Sequence, residues 1–205
     1  MQPDTWSDVV GESEKDVLQS ACCVNGDQLL LIYLSDVKYV LQIRDLQSGN
    51  LLHNLPIDIG SVSGIAGRRK DKEIFICFTS FLTPGIIYRC NLDAEKPEFV
   101  VFRETVVPGF DRTEFDAKQV FVTSKDGTEI QMFIVSNKDI ALDGSHPTLI
   151  FGYGGFNISI TPNFSVGRIV ISRHLGAVFA IANIRGGGEY GEEWHKAGSL
   201  AKKQN

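Results

Sequence analysis

The residues with the clearest chemical potential lie where Leu149-Ile150-Phe151 runs into Gly152-Tyr153-Gly154-Gly155-Phe156. An apolar strand here ends in a glycine turn that carries one aromatic hydroxyl. Acyl transfer needs donors held about 3 Å from the oxygen that turns negative in the transition state, on backbone that comes close to the substrate. Glycine permits both that approach and unusual φ values, so Gly154 and Gly155 supply the freedom and Tyr153 supplies a phenolic donor. The same residues also fit a plain strand-to-loop turn in which Tyr153 and Phe156 pack as ordinary aromatics. The motif alone does not separate the two.

A second apolar strand, residues 177–184, runs into Arg185-Gly186-Gly187-Gly188. In α/β-hydrolases one oxyanion donor comes from a glycine-rich strand-to-loop segment, and the nucleophile sits on a later Gly-x-Ser-x-Gly elbow. No such elbow follows before Asn205, so the sequence names a chemistry without its nucleophile. Gly186-x-Gly188-x-x-Gly191 also fits the dinucleotide fingerprint, but a lone match carries little specificity. Arg185 and Glu189 crowd the turn, and the acidic residue expected about 20 positions later would fall past Asn205. A glycine-permitted turn into a helix begun by Glu192-Glu193-Trp194 is the favoured reading. His53, His146, His174 and His195 have no i,i+4 pairing and no cysteine at ligand spacing, so no zinc site is expected. Each reads as a loop or surface residue.

The elements that must position these turns differ between the two halves of the chain. Over residues 16–102 the apolar runs are short and separated by Gly, Asp, Asn or Pro, which predicts consecutive antiparallel strands without helices. Gln28-Leu29-Leu30-Leu31-Ile32-Tyr33 is echoed by Glu73-Ile74-Phe75-Ile76-Cys77-Phe78, and Leu41-Gln42-Ile43-Arg44-Asp45-Leu46 by Ile87-Tyr88-Arg89-Cys90-Asn91-Leu92. The offset of about 45 residues matches propeller blades of four strands, though two blades cannot close a propeller. Residues 105–116, with Pro108-Gly109, read as a boundary. Beyond it, residues 118–123 and 130–135 flank Lys125-Asp126-Gly127-Thr128, a hairpin signal. Residues 148–151 predict a short buried strand. Residues 162–174 predict a helix with Val166, Ile169, Val170 and Arg173 at helical spacing and Gly176 at its C-terminus. Residues 177–184 predict a central strand covered on both faces. Hairpin, strand, helix, strand opens an α/β sheet.

Composition excludes several classes. With 43% hydrophobic residues the 205-residue chain is an ordinary globular sequence, not a disordered one. A net charge of -5 with interspersed signs gives no basic stripe for nucleic acid and no polybasic arm for a membrane. No run approaches the roughly 20 apolar residues of a membrane span. Met1-Gln2-Pro3-Asp4-Thr5 opens a polar stretch without a signal-peptide pattern, which makes a cytoplasmic location the expectation. Cys22, Cys23, Cys77 and Cys90 form no Cys-x-x-Cys pair and read as reduced thiols. The sequons at Asn157 and Asn163 are discounted for lack of a leader.

Three stretches carry a resemblance: Gly144-Ser145-His146-Pro147, Phe151-Gly152-Tyr153-Gly154-Gly155-Phe156-Asn157-Ile158-Ser159, and Ala182-Asn183-Ile184-Arg185-Gly186-Gly187-Gly188-Glu189-Tyr190-Gly191. Together with Glu14-Lys15-Asp16-Val17-Leu18 and Phe78-Thr79-Ser80-Phe81-Leu82-Thr83-Pro84-Gly85-Ile86-Ile87-Tyr88, they closely resemble the prolyl oligopeptidase family along nearly the whole chain. That family joins a seven-bladed propeller to an α/β-hydrolase domain. The resemblance implies a truncated chain: residues 1–107 as the last two blades, and residues 108–205 as the N-terminal part of the hydrolase domain.

The resemblance also implies roles. Tyr153 matches the tyrosine whose hydroxyl helps form the oxyanion hole, and Phe156 matches an aromatic lining the pocket for the substrate proline. The serine, aspartate and histidine of the triad would lie beyond Asn205, with the second oxyanion donor and the arginine and tryptophan that grip the substrate. The implied activity is serine-type hydrolysis of short peptides on the carboxyl side of proline, with this stretch inactive alone. No cofactor or metal is implied, nor any nucleic-acid or membrane partner, and the complete enzyme would be a monomer. A non-catalytic interaction module built on the propeller strands is the alternative.

Overall fold

The computed structural model describes residues 6–141 and 143–204. The polar opening at residues 1–5 lies outside them. The first half forms two four-stranded antiparallel sheets, each a meander: β1 Val17–Val24, β2 Gln28–Ser35, β3 Lys38–Asp45 and β4 Leu51–Leu55, then β5 Ser61–Ala66, β6 Glu73–Thr79, β7 Ile86–Asn91 and β8 Val100–Glu104. The two echoed segments fall on β2 and β6 and on β3 and β7, the second and third strands of each sheet. Alternation sets the faces. In β6, Ile74, Ile76 and Phe78 are buried while the residues between them are half-exposed. Ile74 and Ile76 meet Leu30, Ile32, Leu41 and Ile43 of the first sheet in one core, sealed with Val24, Leu55, Cys90 and Leu92. Each sheet therefore covers the other's apolar face. All four cysteines are free thiols, and burial pushes Cys90 up to about 11.

The second half begins with a hairpin, β9 Phe115–Thr123 and β10 Glu129–Asn137, closed by a turn in which Gly127 takes φ 87°. β11 Thr148–Gly152 follows, then helix α1 Val166–Leu175, β12 Val178–Ala182 and helix α2 Gly191–Ala197. α1 starts where the Ser165 side chain accepts the Arg168 N–H and stops at Gly176 in the left-handed region, φ 60°. The sheet order is β11-β12-β10-β9, with β11 parallel to β12 and the other neighbours antiparallel.

The structure corrects several expectations. The strand at 148–151 is not buried: all five residues of β11 are exposed, because it forms the sheet's edge. Ile150 is 72% exposed. Of the helical stripe, Ile169 is buried, whereas Val166 and Val170 face outward. The central strand is shorter than 177–184: β12 spans Val178–Ala182, and beyond it Asn183 N still donates to Gln131 O at 3.0 Å. Of the histidines read as loop or surface residues, His174 is exposed, and His53 and His195 are half-buried. His53 lies on β4, and His174 and His195 lie on α1 and α2.

The halves meet through a second core, where Val37 and Phe81 of the first half pack with Phe133, Val135 and Ile181 of the second. Val37 sits in the two-residue turn between β2 and β3, with Asp36 at φ 46° and Val37 at φ 59°. A β-branched residue rarely holds that conformation. Its complete burial against the second half offsets the strain. Phe81 and Phe133 lie 5.1 Å apart between ring centroids, and the Arg168 guanidinium covers Phe81 at 5.3 Å. Polar ties reinforce the contact: Ser61 Oγ donates to Pro162 O at 2.7 Å, and Gln119 Nε2 donates to Asp36 O at 2.6 Å.

Candidate functional site

The parallel pairing of β11 and β12 builds the site. Register runs from Thr148 opposite Val178 to Gly152 opposite Ala182, so both strands release their glycine turns side by side at one end of the sheet. Ligand sites of α/β sheets lie beyond the carboxyl ends of such strands. Contact between the turns is so close that side chains are excluded. A Cβ on Gly154 would stand 2.6 Å from Arg185 O, and one on Gly186 would stand 2.2 Å from Gly154 O. Asn157 N donates to Gly186 O at 3.2 Å, fastening the first turn to the second.

Tyr153 leaves the end of β11 with its ring over Gly155 and 43% of its surface exposed. Its hydroxyl has no hydrogen-bond partner among the described residues. A free phenol at the carboxyl end of a parallel strand pair can donate to a developing oxyanion. Phe156 is 84% exposed, and it and Asn157 take φ 52° and 57°. Asparagine tolerates that region; an exposed phenylalanine there is strained backbone of the kind that clusters at functional sites.

Groups behind the turns hold them from below. Arg185 points back to the β9–β10 hairpin, donating to Asp126, to Thr128 Oγ1 at 2.9 Å and to Ser124 Oγ at 3.3 Å. The Arg185 hydrogen bond, helped by a backbone N–H from Thr128, holds the Asp126 carboxyl well below the usual carboxylate range. His195 Nδ1 lies 2.8 Å from Gly186 O, and Lys203 Nζ donates to Gly154 O and Arg185 O. Tyr190 reaches Asp36 across the junction of the halves. Its phenol is held above the usual range by burial first and by the Asp36 charge second.

The triple glycine is not shaped for a dinucleotide. Gly186 faces Gly154 O, Gly187 faces the Glu189 carboxylate and Gly188 faces Asn157 O, each within 2.6 Å of where a Cβ would stand. The glycines are accounted for by these close approaches of main chain and the Glu189 carboxylate, without a bound phosphate. Among the described residues no group of His, Cys, Asp or Glu is arranged to hold a metal ion. No helix among them is long and apolar enough to cross a membrane.

Sequence reasoning placed Tyr153 and Phe156 on one turn and missed what supports it. Glu189 and Asn183 are 1% and 0% exposed. The available signal was a carboxylate enclosed by glycines, Gly188-Glu189-Tyr190-Gly191, which is an unusual place for an exposed charge. His195 and Lys203 gave no signal, because their partners are main-chain carbonyls.

Two four-stranded meanders of the propeller type, packed on each other and joined to a mixed sheet that releases paired glycine turns, define a propeller-linked α/β chain. Its sequence narrows that class. The family described as prolyl oligopeptidase, N-terminal beta-propeller domain, matches residues 1–103, and the prolyl oligopeptidase family matches residues 162–205. The chain belongs to the prolyl oligopeptidase family, whose members are serine peptidases. It is 42% identical over 197 residues to prolyl oligopeptidase ophP of Omphalotus olearius, covering 96% of this chain and 26% of that protein. It is 35% identical over 205 residues to the prolyl endopeptidase of Elizabethkingia miricola, covering 100% of this chain and 28% of the relative. Among solved structures, prolyl oligopeptidase B from Galerina marginata, bound to a 35mer hydrolysis and macrocyclization substrate, superposes with a TM-score of 0.88 at 38% identity, over 97% of this chain and 28% of that one. The chain thus spans about a quarter of the length of its relatives.

Proposed function

We propose that this chain is part of a serine-type prolyl oligopeptidase that hydrolyses short peptides on the carboxyl side of proline. Tyr153 donates one hydrogen bond to the oxyanion and Phe156 lines the proline pocket. Residues 1–107 form the last two propeller blades, and residues 108–205 open the α/β-hydrolase domain. A serine attacking the carbonyl, a histidine base and an orienting aspartate are supplied by sequence outside these 205 residues. The complete enzyme works as a cytoplasmic monomer without a cofactor.

One observation carries the reading: the parallel β11–β12 register sets the Tyr153 turn beside the Arg185–Gly188 turn with the phenol unpartnered. A tyrosine donor without nucleophile and base leaves no acyl-transfer route, so the 205-residue chain alone should not cleave a chromogenic proline peptide. Exchanged for the matching stretch of the Elizabethkingia miricola enzyme, the same sequence should give an active chimera inhibited by serine-directed reagents. A chimera that folds but never cleaves would favour a non-catalytic module, and serine-reagent-sensitive cleavage by the chain alone would refute the proposed division of labour.

A further inference from the structure

We infer that Glu189 and Asn183 are positioning residues for Tyr153: the pair grips the main chain at Ile160 and so fixes the turn that aims the phenol. The inference rests on reading Tyr153 as the oxyanion donor. Glu189 Oε1 accepts the Ile160 N–H at 2.9 Å, and Asn183 Nδ2 donates to Ile160 O at 2.6 Å. Asn183 Nδ2 also donates to Glu189 Oε1 at 3.1 Å, which locks the two side chains to each other. Both polar groups of Ile160 are thereby held by side chains, as a neighbouring strand would hold them.

The clamp closes one end of the turn, and the Asn157 bond to Gly186 O ties its middle. Within that span lie the left-handed Phe156 and Asn157. Such conformations persist only where the surroundings over-determine them. The glycine run is fitted to the clamp, since a Cβ on Gly187 would stand 2.1 Å from Glu189 Oε2. Stability alone does not account for these residues. Glu189 Oε2 and Asn183 Oδ1 are buried without hydrogen-bond partners, an arrangement that well-packed apolar side chains would improve on. Orientation does account for them, because only hydrogen-bonding groups at these two positions can hold Ile160 by its main chain.

The test uses the chimera and a cycle with Tyr153→Phe. Glu189→Leu removes the clamp at similar volume and should lower kcat about 10- to 100-fold with KM little changed, as loss of a supporting hydrogen bond does in other sites. Glu189→Gln keeps an acceptor for Ile160 and should restore most of that loss. In the Tyr153→Phe background, Glu189→Leu should cost less than about 2-fold more, because it acts through the phenol already removed. Where Glu189→Leu does not fold, Asn183→Ala, which frees Ile160 O and leaves the Glu189 contact, is held to the same criterion. Equal losses in both backgrounds, or an unchanged kcat, would overturn the inference alone. An unchanged kcat for Tyr153→Phe itself would overturn the oxyanion reading and this inference with it.

Discussion

The two cores of the chain are owned differently. The core between the blade sheets draws every buried member from residues 24–92 and uses nothing from the second half. The core of the mixed sheet is shared, because Val37 and Phe81 from the blades complete the layer under Phe133, Val135 and Ile181. At the far side, β11 leaves Leu149, Ile150 and Phe151 uncovered. A meander pair can finish its own packing; the opening of an α/β sheet cannot, because its parallel strands need layers on both faces and a neighbour at each edge. The candidate site therefore stands on the less self-sufficient region, braced by the more self-sufficient one.

This asymmetry can be broken at chosen residues. The largest effect is expected from Ile181→Lys, which buries an unpaired charge at a position 4% exposed and should unfold the second half outright. Circular dichroism and hydrogen exchange would read that loss. Ile150→Lys makes the same chemical change on the neighbouring strand and should move stability by no more than about 0.5 kcal/mol. It should also reduce self-association, since it interrupts an exposed apolar edge. Comparable destabilisation by the two would show that β11 is covered after all.

A second pair separates the cores. Phe81→Ala should cost about 3–5 kcal/mol by emptying the shared layer. Exchange should then accelerate in β10 and β12 while β2 and β3 stay protected. Leu30→Ala should cost about 2–5 kcal/mol and accelerate exchange in both regions, because the mixed sheet leans on the blade turns. Protection lost only in the blades would contradict the shared-core account.

The smallest effect concerns the brace from Arg185 to Asp126. Its carboxyl is depressed below the ordinary value of 3.8, so the ion pair's contribution is fully present above that value and is lost as the pH falls through the lowered one. The gap in Tm between the parent chain and Asp126→Asn should be flat from neutral pH down to about 4 and shrink below it. A gap that closes at neutral pH would mean the pair contributes nothing to holding the glycine turn.

Much of this was legible in the sequence because it is written in local signals. Asp-Gly marked the β9–β10 turn, Gly176 marked the end of α1, and the repeated apolar runs marked the second and third strands of each sheet. The exposure of β11 was not legible, since Leu149-Ile150-Phe151 reads as buried whenever the neighbours that would bury it are unknown. The turn at Asp36-Val37 was silent for a different reason: it lacks the glycine or asparagine that announces such hairpins, and tertiary burial of Val37 overrides the local preference. At the site, the glycine turn singled out Tyr153 as a candidate donor, and the resemblance to the prolyl oligopeptidase family supplied the roles of Tyr153 and Phe156. The Glu189–Asn183 clamp could not, because its partner is the main chain of Ile160, which any residue carries.

The central claim is that the Tyr153 hydroxyl donates to the oxyanion, and Tyr153→Phe in the active chimera tests it most directly. The substitution keeps the ring over Gly155 and deletes only the donor. Losing one such donor typically lowers the rate about 100- to 1,000-fold, or about 2.7–4 kcal/mol of transition-state stabilisation. The fall should appear in kcat with KM little changed, because the hydrogen bond forms chiefly in the transition state. Full turnover combined with a lower Tm would show instead that Tyr153 is a packing residue and that the oxyanion assignment is wrong.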